Sequence, residues 1–366
     1  MFLKKVFRLI SARLNYFYTY AAASQFAPKK VVQPAYWVEF SAAEKKFLEH
    51  CAESFNYEVD YTRGYRQKEM AVYTIPAVTF LGNSGALVKN NTIIKESVFD
   101  SARLTKSPAF RSPALLTNRN RQGWYTSIMH LPWAAASNYH WFLDCLPRLY
   151  ALLQTINVPT ILIMPAQAPA FQQETLRFLI QNNAYLQVAS ISKKEKWHLP
   201  EFVLANFISN HNSGYLPRAV ADFIRTNIWS GYGVAAQPQK TRIYISRAKA
   251  KKRRLLTEKQ LLPILLAYNF QIIYAEEFSY AEQVQLFYNA EIVAGAHGAG
   301  LTNILFGRNL KVIELHPQDM VRSHYFMICK ALDFEYYYLL GSHHNQQQDF
   351  KIEANALQEL LQKVIK

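Results

Sequence analysis

An α/β fold in two domains is what this sequence predicts, on three observations. The chain has 366 residues, more than one hydrophobic core usually covers, so it should divide. From residue 241 onward, β-rich stretches alternate with helical patterns, the mark of parallel βαβ units in a doubly wound sheet. Half of the residues are apolar and 14% are aromatic, which fits a packed chain and excludes a disordered one.

The elements follow in order. In "MFLKKVFRLISARLNYFYTYAAAS", Phe2, Val6, Leu9, Ile10 and Phe17 recur at helical spacing among Lys4, Lys5, Arg8 and Arg13. Arginines break the apolar run, which argues against a cleaved secretory leader. Two readings remain: a basic amphipathic helix on an anionic membrane, or a helix packed on the body with a solvated basic face. Residues 1–35 form this arm, with "APKKVVQP" as its linker. Residues 36–232 read as a first α/β domain. Its "AVYTIPAVTFL" and "ALVKNNTIIKESVF" predict a meander broken by glycine and Asn-Asn turns. "WYTSIMHLPWAA" predicts a strand and a loop, and Ser137 or Asn138 can cap the helix that follows. "VPTILIMP" is a short buried strand before the helical "PAFQQETLRFLIQNNA". The composition breaks at 230–240, where the hinge is placed.

Residues 233–345 then read as a Rossmann-like domain. Strands "TRIYISR", "FQIIYAEE", "EIVAGAH" and "KVIELHP" are separated by helices "LTEKQLLPILLAYN", "SYAEQVQLFYNA" and "GLTNILF". In the tail, 346–366, Leu357, Leu360, Leu361 and Val364 share one helical face and should pack back on the body.

The net charge of +15 favours anionic partners: nucleic acid, an acidic membrane surface or phosphorylated small molecules. Cys51, Cys145 and Cys329 have no CxxC spacing, which argues for a reducing compartment without disulfides or structural zinc. No run approaches the ~20 apolar residues of a membrane span.

Three stretches could carry chemistry. "EIVAGAHGAGLTNILF" sets His297 among Gly295, Gly298, Ala299 and Gly300, where a strand ends and a helix begins. Such a place lets backbone approach a ligand and favours phosphate; the plainer reading is a tight turn. "NYHWFLDCLPRL" puts His140, Asp144 and Arg148 at i, i+4 and i+8 on an otherwise apolar helix. Burying three ionisable side chains needs a purpose or a partner. Asp144 can be a general base, or it can pair with Arg148. "RIYISRAKAKKRRLLTE" places Arg247 just past a strand, with five more cations by Arg254. Guanidinium groups there suit a diphosphate; a solvated basic loop is the plainer reading. A nucleic-acid patch would want interleaved aromatics.

Together and in this order, these stretches resemble glycosyltransferase family sixty-one, from about residue 75 to 340. The resemblance implies a GT-B arrangement of two Rossmann-like domains facing a cleft. It implies a nucleotide-sugar donor, with UDP the usual carrier, and inverting transfer without a metal or other cofactor. By motif, Arg247 and one of Arg253 or Arg254 should hold the donor diphosphate beside the glycine-rich turn and His297. Glu314 should meet the donor ribose. Asp144 becomes the candidate base with His140 beside it, and the residues leave open which takes the proton. Thr257-Glu258 stands where the family often has Asn-Glu.

The expected acceptor is a growing bacterial surface glycan, possibly lipid-linked. The expected place is the cytosol at the inner face of the membrane, with residues 1–24 touching it. The alternative is a catalytically silent nucleotide- or glycan-binding module of the same fold.

Overall fold

The computed structural model describes residues 19–51, 59–60, 62–100, 104, 117–209, 215–237 and 240–365. Two compact units divide the chain: Met1–Trp37 with Arg66–Ser213, and Val38–Tyr65 with Gly214–Lys366.

The first unit is built on a ten-stranded mixed sheet. Its parallel part runs in the order Glu195–Ala205, Trp124–Ser127, Thr160–Pro165, Leu186–Ile191. On the other side of Glu195–Ala205, the twelve-residue strand Met70–Leu81 pairs antiparallel and continues into Ala86–Lys89 and Thr92–Ile94. The turn at Gly82–Ser84 and the Asn90-Asn91 pair, both asparagines at positive φ, reverse the chain at once. Such short reversals can join only antiparallel strands. The first unit therefore departs from a Rossmann-like domain, because three of its ten strands form an antiparallel meander. Phe80, Phe202, Ile75, Leu87 and Leu204 form part of its core.

The N-terminal segment also differs from expectation. Thr19–Ala21 is a strand parallel to Thr92–Ile94, and the supposed linker contributes Lys29–Gln33, antiparallel to Met70–Leu81. Val31 and Gln33 thus belong to a β-ladder, opposite Ala71 and Met70, and not to a free linker. The amphipathic pattern of residues 1–18 lies outside the described residues.

The second unit carries a five-stranded parallel sheet in the order Phe270–Ile273, Thr241–Ile245, Ala290–Ala296, Lys311–Pro317, Glu335–Gly341. Numbered along this unit the order is 2-1-3-4-5, so the winding reverses between Thr241–Ile245 and Ala290–Ala296. Ligands bind at such a switch point, outside the carboxyl ends of the strands. Ile245 lies opposite Gly295 there, which puts the segments after both strands side by side.

Two other features separate this unit from the sequence reading. The helix Arg218–Gly231 belongs to it, although the composition break falls after that helix. Residues 38–65 join it too, because the helix Ala42–Glu49 buries Phe47 and Leu48. Phe47 packs against Phe326, Tyr336 and Tyr338. Leu357, Leu361 and Val364 of the last helix, Ala354–Val364, are buried with Tyr244, Leu261 and Phe270. No helix among the described residues is long and apolar enough to cross a membrane.

Candidate active site

In the first unit, the site grows from the carboxyl ends of two adjacent strands. Trp124–Ser127 runs into His130, and Glu195–Ala205 runs toward Ser209. The helix after the first of these begins at Ser137, whose side chain caps it by accepting from the His140 N–H. It then widens into a π turn over Trp141–Cys145 before returning to α geometry at Leu146–Leu153. π turns interrupt the regular drift of a helix face and are frequent at functional sites. Here His140 and Asp144 stay together while Arg148 turns elsewhere.

Asp144 is fully buried. Its Oδ2 lies 2.6 Å from His140 Nδ1 and 3.5 Å from His130 Nε2, and Ser209 Oγ donates to its Oδ1 at 2.6 Å. Burial alone would raise this carboxyl, but the two histidines outweigh that and hold it well below the usual carboxylate range. An ionised carboxylate only accepts, so His140 Nδ1 carries the proton and Nε2 is the basic nitrogen. His140 keeps 18% of its side chain exposed. Burial pushes the His130 imidazole down despite the pull of Asp144.

The alternative pairing of Asp144 with Arg148 is not what forms. Arg148 Nε donates to the Ala205 carbonyl at 2.9 Å and its terminal nitrogen to the Met129 carbonyl at 3.1 Å. The guanidinium lies over the Phe207 ring at 4.3 Å. Arg148 thus ties the strand ends that lead to His130 and Ser209.

In the second unit, the switch point gathers the other predicted residues. Arg247 follows Thr241–Ile245, and its Nε and a terminal nitrogen donate to the Arg253 and Lys252 carbonyls at 3.0 and 2.9 Å. Arg253 holds a left-handed backbone, φ 58°, which helps curl the basic loop back toward Arg247. The remaining terminal nitrogen lies over Gly298: a Cβ added there would fall 1.8 Å from it. Any side chain at Gly298 would therefore displace the guanidinium. Gly295 and Gly300 sit against Ile245, with hypothetical Cβ atoms 3.1 Å from its carbonyl oxygen and its Cγ2. Ala299 opens the helix that "GLTNILF" predicts, Ala299–Phe306, which takes 3-10 geometry.

The basic run divides. Arg254 is bound to the buried Asp349 through its backbone N–H at 2.8 Å and through Nε and a terminal nitrogen at 3.0 and 2.7 Å. Arg253 instead has its Nε buried without a hydrogen-bond partner among the described residues. An unsatisfied buried donor beside Arg247 suits an anion.

His297 Nδ1 lies 2.6 Å from Glu314 Oε1. Tyr336 donates to the other oxygen at 2.8 Å, and His316 Nε2 stands 3.4 Å from it. Glu314 is fully buried. As with Asp144, burial raises its carboxyl, while His316 and His297 more than offset this and hold it low. A carboxylate closed to solvent, with a donor already on each oxygen, is out of a ribose's reach. Its evident task is to orient His297, a correction to the sequence reading. Burial pushes His297 down, and Tyr325 donates to the Gly298 carbonyl at 2.5 Å.

Each of the two groups, His130–His140–Asp144 and His297–Glu314–His316, brings three potential metal-ligand atoms within 4.8 Å of one another. Two imidazoles and a carboxylate are a donor set that zinc accepts. In both groups the carboxylate also accepts N–H or O–H donors at hydrogen-bond distance.

Residues 139–313 match the sequence model of the family described as Glycosyltransferase 61. The matched segment belongs to glycosyltransferase family 61. Its ends fall beside one residue of each group: it opens at Tyr139, next to His140, and closes at Ile313, next to Glu314. An EGF domain-specific O-linked N-acetylglucosamine transferase of Drosophila melanogaster is 39% identical over 99 residues. That alignment covers 26% of this chain and 18% of the relative's length.

Within and beside this glycosyltransferase 61 segment, sequence reasoning missed His130, Ser209, His316, Tyr325 and Tyr336. His130 had a faint signal, a histidine ending the apolar "SIM". His316 stood two residues after Glu314 on one strand and so on the same face. Ser209, Tyr325 and Tyr336 reach the site only through the fold.

Proposed function

We propose that this protein is an inverting glycosyltransferase. It moves a sugar from a nucleotide-sugar donor, with UDP as carrier, to a hydroxyl of a bacterial surface glycan, without a metal. One observation carries the donor half: Arg247 lies across Gly298 at the switch point of a parallel sheet, beside Arg253 and His297. A guanidinium with backbone N–H groups near it is suited to stabilise a leaving diphosphate. In this reading Arg253, and not Arg254, assists Arg247, because Arg254 is committed to Asp349.

The acceptor half rests on His140. Asp144 is too enclosed to touch an acceptor hydroxyl, so it positions His140, whose Nε2 takes the proton. As that proton leaves, the acceptor oxygen forms its bond to the anomeric carbon and the bond to the diphosphate oxygen breaks. The electron pair goes to the diphosphate, and a single displacement inverts the anomeric centre. A silent binding module would have no use for a buried, ionised Asp144 behind a partly exposed imidazole. We place the protein in the cytosol at the inner face of a membrane, with any basic amphipathic contact confined to residues before Thr19.

The name of the fly relative puts N-acetylglucosamine first among sugars to test. The experiment is calorimetric titration with UDP, GDP and CMP, with and without EDTA. Binding of one nucleotide, insensitive to EDTA and lost in Arg247→Ala, is expected. No binding by any of them would overturn the donor reading, and binding abolished by EDTA would overturn the metal-free one.

A further inference from the structure

A base made of His140 and Asp144 needs one imidazole, yet the first unit buries a second beside them. His130 is 2% exposed, and neither of its ring nitrogens has a hydrogen-bond partner among the described residues. Phe99, Trp133 and Phe207 stand around the ring at 4.7, 5.3 and 5.6 Å between centroids. Such rings do not satisfy an imidazole lone pair, so the histidine is costly to keep there. A bound ion is one physical reason for keeping it. His130 Nε2 lies 3.5 Å from Asp144 Oδ2, which lies 2.6 Å from His140 Nδ1. All three ligand atoms fall within 4.8 Å of one another. Around tetrahedral zinc, with bonds of ~2.0–2.1 Å, ligand atoms stand roughly 3.4 Å apart, so shifts of about 1 Å would seat the ion.

We propose that His130, His140 and Asp144 form an inhibitory site for Zn²⁺. The site follows from the donor atoms; the inhibition rests on the glycosyltransferase reading, in which His140 is the base. Two imidazoles and a carboxylate favour zinc over magnesium or calcium, which prefer oxygen ligands. Ser209 donates to the other oxygen of Asp144 and so orients the ligating one. His140 is partly exposed, which gives an ion a way in from solvent. The histidine group of the second unit is less suited. There the Tyr336 hydroxyl already meets both His316 Nε2, at 3.2 Å, and Glu314, at 2.8 Å. Inhibition follows from the tautomer. A neutral imidazole has one N–H and one lone pair. Zinc on His140 Nδ1 takes the lone pair there, so the ring proton sits on Nε2. Nε2 then donates and cannot accept the proton of an acceptor hydroxyl. The imidazole neither gains nor loses a proton; the ion exchanges the roles of its two nitrogens.

The test takes the full chain, treated with EDTA and dialysed, and titrates it with Zn²⁺ and with Mg²⁺ by calorimetry. Zn²⁺ should bind and Mg²⁺ should not. X-ray absorption at the zinc edge, which needs no variant, should show nitrogen and oxygen ligands without sulfur. His130→Ala should weaken zinc binding by about tenfold, or about 1.4 kcal/mol, and His297→Ala should leave it as in wild type. No zinc binding, sulfur ligands, or equal affinity in wild type and His130→Ala would overturn the site. Loss of binding in His297→Ala alone would place the ion in the second unit and overturn it likewise. Donor turnover measured in EDTA should fall when Zn²⁺ is added in excess and return with more EDTA, while nucleotide affinity stays the same. Turnover unchanged or raised by bound zinc would overturn the inhibition. No turnover even in EDTA would count against the glycosyltransferase reading and remove the inhibition with it, and a His130-dependent zinc site would still stand.

Discussion

The two units each bury a carboxylate between two histidines, yet the two groups are not alike. In the first, Asp144 sits on a π turn and His140, 2.6 Å from it, keeps 18% of its side chain exposed. In the second, Glu314 sits on a central parallel strand, accepts from Tyr336 as well, and holds a His297 whose side chain is only 9% exposed. In the proposed reading, a carboxylate–histidine pair serves two jobs according to what surrounds it. A partly open imidazole backed by a buried carboxylate is fit to take a proton from a substrate. A nearly enclosed imidazole beside arginines and a glycine turn is fit to meet an anion.

The largest expected effect falls on the first group. His140→Ala should lower transfer by ~10²–10⁴-fold, the usual contribution of a general base, while nucleotide affinity stays as in wild type. Asp144→Asn should also lose transfer, because the amide no longer fixes the protonated Nδ1. Steady-state kinetics with a nucleotide-sugar donor decides it, and undiminished turnover in His140→Ala would remove the distinction between the groups. Next in size, Arg247→Ala should weaken nucleotide binding by ~1.5–3 kcal/mol, the range for a charge-assisted hydrogen bond. Calorimetry reads this directly, and equal affinities would place the diphosphate elsewhere.

Glu314→Gln probes what the second group holds together. Tyr336 and the histidines would lose their common acceptor, and chemical denaturation should register a loss of ~1–3 kcal/mol. Gly298→Ala is subtler. The added methyl would push the Arg247 guanidinium aside, so nucleotide affinity should fall, but by less than in Arg247→Ala, with the stability of the fold retained.

The smallest effects are in pH. His130 and His297 have folded values below the ordinary imidazole value of about 6.5. Between their folded values and ~6.5, the unfolded chain binds more protons, so stability is greatest above ~6.5 and declines as pH falls. Asp144 and Glu314 are also held low, and their stabilisation, complete above the unfolded values of ~4, is lost on further acidification. Thermal melts should therefore fall in two stages. Nucleotide binding should show the opposite trend at first. A bound diphosphate favours protonated His297, so affinity should rise as pH falls below the ordinary imidazole value of about 6.5, with proton uptake visible as a buffer-dependent heat.

Much of the second unit was legible in the sequence because parallel βαβ units write themselves plainly. Strands such as Ala290–Ala296 are nearly continuous apolar runs, and turns such as Gly295–Gly300 carry the glycines that close packing demands. The first unit was harder. Its longest pairing joins Met70–Leu81 to Glu195–Ala205, far apart along the chain, and no local pattern announces such a partner. The same limit governed the site. His140 and Asp144 were found because four residues separate them on one helix. Ser209 was missed because only the sheet brings it to Asp144. Arg148 misled because helical spacing assumes α geometry, and the π turn at Trp141–Cys145 removes it from that face. Glu314 was assigned to the ribose by resemblance, but its burial against Tyr336 could not be read from spacing.

The division of labour between the two groups is tested most directly by donor turnover with water as acceptor. Wild type, His140→Ala and Arg247→Ala are incubated with UDP-, GDP- and CMP-linked sugars. NMR then follows the released diphosphate or monophosphate and the anomer of the freed sugar, and calorimetry measures donor affinity in parallel. The account predicts that one donor is consumed with inversion, that both variants lose turnover, and that only Arg247→Ala loses affinity. A protein that consumes no donor, or a His140→Ala variant that turns over like wild type, would contradict it.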